Sequence, residues 1–472
     1  MDGAYYAQSG RCHRHAYICT NGLVSYNFWM HRLPDVRSSI QTELYDWRLW
    51  ATRVVVLAFA CVAGLTVVVF TLGSDLALKS FHFVNAAAWW APLVFTPLCS
   101  AAIVWCTQKY VPGVSGSGIP QVMAALSSGK STTSLFVSFR MSIAKMFLTT
   151  WGLLAGLSLG REGPAVQIAA GVMHSARRWL PKAGVVSEHG LLMAGGAAGI
   201  AAAFNTPLGG VLFAIEELTR KPEQRSNGLI MAAIILGGMM AVSVFGNSTY
   251  FGVIPAESIG FNLLGPGLLV ALVCGLAGGL FSRLLIASLS GTSTDWFSRQ
   301  RKRHPVVFAG GCGLVIAVMG LATQGATFGS GYMSTRALLE GTGEASPLYA
   351  LLKFIATWLT TWSGVPGGIF APALAIGGAL GSDIAVWTGH ANGATLIALG
   401  MAGFLAAVTQ APMTAFVIVM EMVDGHGLVL SLMACALLSS GLSRLVSVPV
   451  YSALAALQLQ RIPADSAKKR SP

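Results

Sequence analysis

Three short glycine- and proline-bearing stretches interrupt otherwise apolar sequence: GSGIP (Gly116 to Pro120), GREGP (Gly160 to Pro164) and GGIFAP (Gly367 to Pro372). Each ends in a proline suited to the first turn of a following helix. In hydrocarbon, non-helical backbone is tolerated only where it lines a cavity, so each break predicts a helix N-terminus near the middle of a membrane. Such termini offer unpaired N–H groups and the positive end of the helix dipole. Their glycines let a ligand approach the backbone closely. Three of them converging would hold an anion without a full positive charge, and weakly enough for it to leave again.

Glu162 stands at the second break, in a stretch with no other charge than Arg161 between Met146 and Ala176. An ionised carboxylate there would compete with a transported anion; protonated, it would lose its hold. One side chain would thus link anion occupancy to proton binding. The alternative is an Arg161–Glu162 salt bridge that braces the fold, and bracing is the expectation for Arg161 itself. Intramembrane ionisable residues are functional by default. A second acidic pair, Glu216 and Glu217, ends an apolar run just before a basic loop at Arg220. It reads either as a solvated helix end or as a proton relay.

These residues need a scaffold, and composition says which kind. Of 472 residues, 54% are hydrophobic and 10% charged, against about 25% charged in soluble domains; the mean hydropathy is +0.65. Uncharged runs long enough to span a bilayer recur, for example His189 to Ile215 and Ile384 to Met420, where ~20 apolar residues suffice. The chain therefore reads as an all-α polytopic membrane protein. Its net charge of +12 gathers in clusters such as Arg299, Arg301, Lys302 and Arg303 between apolar runs. That is the pattern of cytoplasmic loops; it places both termini in the cytoplasm and argues against nucleic acid as a partner. The 8 cysteines are scattered, mostly within apolar runs, and read as packing residues. Cys12, His13, His15 and Cys19 are close in sequence but lie in a polar tail, so no metal site is assigned. Residues 1–45 are expected to be a poorly ordered cytoplasmic tail, with Met30 an alternative start. Residues 46–459 are expected to form the transport domain, in halves of roughly 50–250 and 262–459, and 460–472 a short tail with no regulatory domain after about Arg461.

The halves are suggested by an internal repeat. GAAGIAAAFNTPLGGVLFAIEE from Gly196 resembles GMAGFLAAVTQAPMTAFVIVMEM from Gly400, with Pro207 and Glu216 matching Pro412 and Glu421 after a one-residue shift. Duplicated halves that each carry a Gly/Pro break point to a binding site at the repeat interface. Two other motifs are set aside. AALSSGKS (Ala124 to Ser131) loosely fits a phosphate-binding loop but lacks the required strand context. GVSG (Gly113 to Gly116) fits the nucleophile motif of intramembrane serine proteases, with His174 and His390 the only histidines available to Ser115.

Taken in this order and spacing, GSGIP, GREGP and GGIFAP, with PVYSAL near the C-terminus, resemble the CLC family of chloride channels and chloride/proton exchangers, over roughly residues 48–459. The resemblance implies a homodimer with one anion pathway per subunit, two inverted-topology repeats, and broken helices meeting at the midplane. It implies that Ser117, Tyr451 and the N–H groups of Ile369 and Phe370 hold the anion, that Glu162 is the external gating glutamate, and that Glu217 is the internal proton-transfer glutamate. Channel members commonly lack an acid at the position of Glu217, and nitrate-preferring members have Pro in place of Ser117. The expectation is a chloride/proton exchanger in the inner membrane, of prokaryotic type, with chloride as substrate and no cofactor; a passive chloride channel is the alternative and an intramembrane protease a distant one. Many relatives have Glu where Gln121 stands, which puts the efficiency of proton coupling in question.

Overall fold

The structure, a computed structural model, describes residues 45–127, 130–181, 186–218, 227–246, 249–253, 261–343, 346, 348–389 and 393–460. The expectations for both tails, for the Cys12–Cys19 cluster, for the basic loop at Arg220 and for His390 fall outside these residues. The chain divides into two units, residues 1–50 and 51–472. Of the first, only residues 45–50 are described, and Trp47 begins a helix that continues into the second.

The described residues are almost wholly helical. In the first half these are α1 (Trp47–Ala87), α2 (Ala91–Tyr110), α3 (Ile119–Ser127), α4 (Lys130–Phe136), α5 (Phe139–Leu154), α6 (Glu162–Ser175), α7 (Glu188–Phe204), α8 (Pro207–Phe213) and α9 (Asn227–Phe245). In the second they are α10 (Leu264–Ser290), α11 (Trp296–Arg303), α12 (Pro305–Ala322), α13 (Tyr332–Leu339), α14 (Tyr349–Ser363), α15 (Phe370–Thr388), α16 (Gly393–Thr409), α17 (Pro412–Met422), α18 (Val429–Val446) and α19 (Val450–Gln460). Seven of the described helices are long and apolar enough to cross a membrane, and the protein is a multi-pass membrane protein. They differ in what surrounds them: 78% of the most apolar window of α15 is buried inside the protein, against 33% for α12. The broken helix α15 is thus an interior element, while α12 turns Val307, Leu314, Val315 and Val318 outward.

The two halves repeat one another in detail. The helices α7 and α16 end in left-handed residues, Asn205 at φ 57° and Gln410 at φ 58°, and α8 and α17 then restart at Pro207 and Pro412. The carboxylate of Glu216 accepts hydrogen bonds from Met413 N (3.2 Å) and Thr414 N (2.7 Å) at the start of α17. Glu421 does the same for Leu208 N (3.2 Å) and Gly209 N (2.7 Å) at the start of α8. Each half therefore caps a helix of the other, a reciprocity that a two-fold axis between inverted repeats produces. Small residues let the helices close in: a Cβ at Gly400 of α16 would lie 2.1 Å from the Gly377 carbonyl oxygen of α15, and one at Gly199 of α7 would lie 2.6 Å from that of Ala165 in α6. Lipid supplies no hydrophobic drive between helices, so such close backbone packing has to hold them together.

Candidate functional site

The three breaks meet. Gly160 N donates to Gly368 O (2.7 Å) and Gly368 N to Gly160 O (2.8 Å), an isolated antiparallel bridge between the second and third breaks. Gly367 N donates to Gly116 O (3.3 Å), which ties in the first. No side chain fits between them: a Cβ at Gly163 would lie 2.4 Å from Ser117 Oγ, and one at Gly118, where φ is +114°, would lie 2.3 Å from Gly163 O. Helices α3, α6 and α15 start from this point, two of them without a side-chain cap. Arg161 precedes α6 and Ile369 precedes α15, and neither side chain caps its helix. Ser138, Ser187 and Asp295 cap α5, α7 and α11 in the ordinary way, while α2, α10, α12, α13, α14 and α18 also start without a side-chain cap; what sets α6 and α15 apart is that their termini meet. The uncapped N–H groups stand where an anion would use them.

Lys145 and Lys353, which sequence reasoning did not single out, help hold the breaks in shape, beside Gln121 and Arg161, which it did. Lys145 of α5 is fully buried and donates from Nζ to Val114 O (2.8 Å) and to Gly116 O. Lys353 of α14 is equally buried and donates to Thr327 O (2.9 Å) and Gly329 O (2.7 Å), at the same spacing ahead of its broken helix. A lone lysine inside an apolar run was the available signal in both cases, and Lys353 also marks a fourth break, the Gly-Ser-Gly stretch Gly329 to Gly331, which is the second half's counterpart of Gly116 to Gly118. Gln121 is buried; its Oε1 accepts from Gly118 N (2.8 Å) and its Nε2 donates to Ser115 O. It closes the first turn of α3 in the manner of a capping box. Its amide is thus committed to the loop. Arg161 braces the second break by pairing with Asp75, which is half exposed, and by donating to Tyr250 Oη (3.1 Å). An Arg161–Glu162 hydrogen-bonded salt bridge is not formed.

Among the residues expected at the site, Glu162, Ser117, Ile369, Phe370 and Tyr451 are all buried. The Glu162 carboxylate lies among the backbone N–H groups of Arg161, Glu162 itself and Ala371, without completing a well-aligned hydrogen bond to any of them. Tyr451 opens α19, which packs on α3, and this brings its hydroxyl beside Ser117. Neither hydroxyl completes a hydrogen bond. Buried polar groups in native proteins are nearly always satisfied, so an orphan carboxylate and two orphan hydroxyls converging on uncapped helix termini mark a ligand site. The Phe370 ring stacks on Tyr451 at 6.1 Å between centroids and packs on Phe204 (5.8 Å) and Phe213 (6.4 Å). Phe213 runs directly into a π-helical turn, Ala214–Leu218, that carries Glu216 and Glu217. Glu217 is only 6% exposed and lies within electrostatic range of Tyr451, so it is no solvated helix end; its neighbour Glu216 caps α17.

Among the described residues the protease constellation is not assembled. His174 Nε2 is held by Glu188 Oε1 at 2.5 Å, and the Ser115 hydroxyl points to Gly364 O at 3.4 Å. The strand context of a phosphate-binding loop is likewise absent among the described residues, since AALSSGKS begins within α3.

Comparison with known proteins agrees with this geometry. The profile of the family described as voltage gated chloride channel matches residues 98–444, well over half of the chain. An H(+)/Cl(-) exchange transporter ClcA from Citrobacter koseri is 32% identical over 401 residues, covering 80% of this chain and 81% of its own; one from Salmonella typhimurium is 30% identical over 399 residues with the same coverage. Among solved structures, a slow cyanobacterial Cl-/H+ antiporter superposes with a TM-score of 0.75 at 25% identity, over 87% of this chain and 98% of that one. A CLC-type fluoride/proton antiporter, at 22% identity and a TM-score of 0.71, shares the fold over the same 87% of this chain and 98% of its own. A family of membrane transport proteins, not of catalysts, thus accounts for the broken helices, the inverted halves and the bridged glycines alike, and this chain belongs to the voltage-gated chloride channel, or CLC, family.

Proposed function

We propose that the protein is a chloride/proton exchanger, moving chloride one way and protons the other. The observation that carries this reading is the convergence of two uncapped helix N-termini with the orphan hydroxyls of Ser117 and Tyr451 and the orphan carboxylate of Glu162. Chloride enters from the inner side past Tyr451 and Ser117 and rests against the N–H groups of Ile369 and Phe370. It leaves past Glu162 when that side chain swings away. Dipoles aimed at the ion without a full charge keep binding weak enough for turnover. A proton neutralises the Glu162 carboxylate and weakens its hold on the helix termini, so proton arrival and anion exchange alternate at one position.

Glu217 distinguishes the exchanger from a passive channel of the same family. A buried acid beside Tyr451, at the end of the π turn, supplies an inner station for the proton. The reading is tested in liposomes containing the purified protein, with a chloride gradient imposed and external pH recorded. Uphill proton movement is expected; chloride flux without it overturns the exchanger in favour of the channel.

The inner membrane of a bacterium, with both termini cytoplasmic, fits the basic clusters at the ends of the spans. A homodimer fits the face formed by α8 and α17. There Leu208, Ile215 and Met413 are exposed beside the partly exposed Glu216 and Glu421 carboxylates. Carboxylates facing hydrocarbon are costly, and a second subunit over this face removes them from lipid.

A further inference from the structure

A cavity whose lining includes none of the anion-site residues lies where α11 meets α10, α12 and α14. Its volume is about 1010 Å³, at the upper end of the ~300–1,000 Å³ usual for small-molecule sites. Its walls are apolar and aromatic, with Phe308, Trp358 and Trp362 prominent; the two tryptophans stack at 5.0 Å and 18°, and Phe308 meets Trp362 edge-on at 4.9 Å. Trp358 Nε1 donates to Ser288 Oγ at 2.9 Å. The Trp362 indole N–H, buried in the same wall, has no acceptor. Gly311 of α12 also lines the cavity, and a Cβ there would meet nothing within 4 Å. No helix–helix approach requires this glycine, which costs a helix interior about 1 kcal/mol relative to alanine; what its bareness preserves is the width of the cavity.

The element that covers the cavity is amphipathic and basic. α11 reads WFSRQRKR: Trp296 and Phe297 line the cavity, while Arg299, Lys302 and Arg303 are exposed. Arg301 turns inward and donates from Nε to Trp362 O at 2.7 Å. Asp295, an acid on the same wall, is occupied as the N-cap of α11: Ser298 N donates to it at 2.9 Å and holds its carboxyl below the ordinary range. A helix with an aromatic side and an arginine-rich side lies in the membrane interface. The positive-inside rule puts it at the cytoplasmic leaflet, where anionic lipids are attracted by about 1 kcal/mol per basic residue.

We infer that this cavity is a binding site for one anionic phospholipid of the cytoplasmic leaflet, with an acyl chain between Trp358, Trp362 and Phe308 along the bare face of Gly311, and its headgroup phosphate at Arg299 and Arg303. The site adjoins the C-terminal end of α14, and the chain continues from there through Gly364 into the third break, so one helix leads from the lipid site toward the anion site.

Native mass spectrometry of the delipidated protein tests this, with dioleoyl phosphatidylglycerol and dioleoyl phosphatidylcholine added separately. One tightly retained phosphatidylglycerol per chain is expected, favoured over phosphatidylcholine by about tenfold or more, since two arginines contribute. Gly311→Leu, which has room for its side chain, abolishes that adduct, while Arg299→Gln with Arg303→Gln brings phosphatidylglycerol down to the phosphatidylcholine level. Unfolding midpoints within a few degrees of wild type establish that both variants are folded. Equal retention of the two lipids by the wild type, or an undiminished adduct in folded Gly311→Leu, overturns the site. Neither result bears on chloride or proton flux, so failure here leaves the exchanger reading standing.

Discussion

Glu162 is held by position and not by partners. Its carboxylate is fully buried beside uncapped N–H groups, yet completes no hydrogen bond, so desolvation, the adjacent Arg161 charge and the backbone N–H groups decide whether it stays. Glu162→Gln removes the charge and the titration while keeping the shape. The expected outcome is loss of chloride-driven proton uptake to background with chloride flux retained, read in the same liposome assay; persistent uphill proton flux in this variant removes Glu162 from the coupling. This residue was legible in the sequence, because a carboxylate inside a long uncharged run is too costly to keep in a bilayer without a task. Ser117 and Tyr451 were not legible from residue type alone. They became candidates through the family resemblance, since a hydroxyl in a helical bundle carries no intrinsic sign of being left unpaired, and only the packing of α19 on α3 brings the two together.

The elements that hold the breaks need more than glycine and proline. Lys145 supplies two donors to carbonyls of the Val114–Gly116 turn, which no helix satisfies. Lys145→Met keeps most of the side-chain volume, takes the side-chain donor from Val114 O and leaves Gly116 O with only the Gly367 N–H. A loss of stability of about 2–3 kcal/mol is expected, taken from hydrogen bonds to charged groups, together with weaker anion binding as the turn relaxes. Unfolding in denaturant and chloride titration by calorimetry check the two parts, and unchanged values for both would show that the turn is fixed by Gln121 alone. The breaks themselves could be read in advance from their Gly and Pro content, because a bilayer tolerates so few alternatives. Their supports could not be. Lys145, Lys353 and Gln121 act on backbone oxygens distant in sequence or inside tight turns, and a linear pattern does not record which carbonyls a fold leaves over.

At the scale of the whole molecule, the repeat read from Gly196 and Gly400 understated the symmetry. It matched Glu216 with Glu421, but not the exchange of caps that makes each half complete the other. That exchange takes place on a face where Leu208 and Ile215 are 55% and 53% exposed. A partner subunit over this face is the proposed remedy, so singly labelled protein at low density in a bilayer is expected to photobleach in two steps; single-step bleaching throughout would mean that lipid tolerates the face. Within one subunit, the reciprocal bridge between Gly160 and Gly368 has a further consequence. It joins the two halves at the axis by a pair of short backbone hydrogen bonds, so they are ill suited to rocking against each other there, unlike transporters whose repeats move as bodies. The reorganisation needed to aim the amides is completed once, when the chain folds. Each ion then meets a finished cradle, and the working parts of the cycle reduce to side chains and the protons they carry.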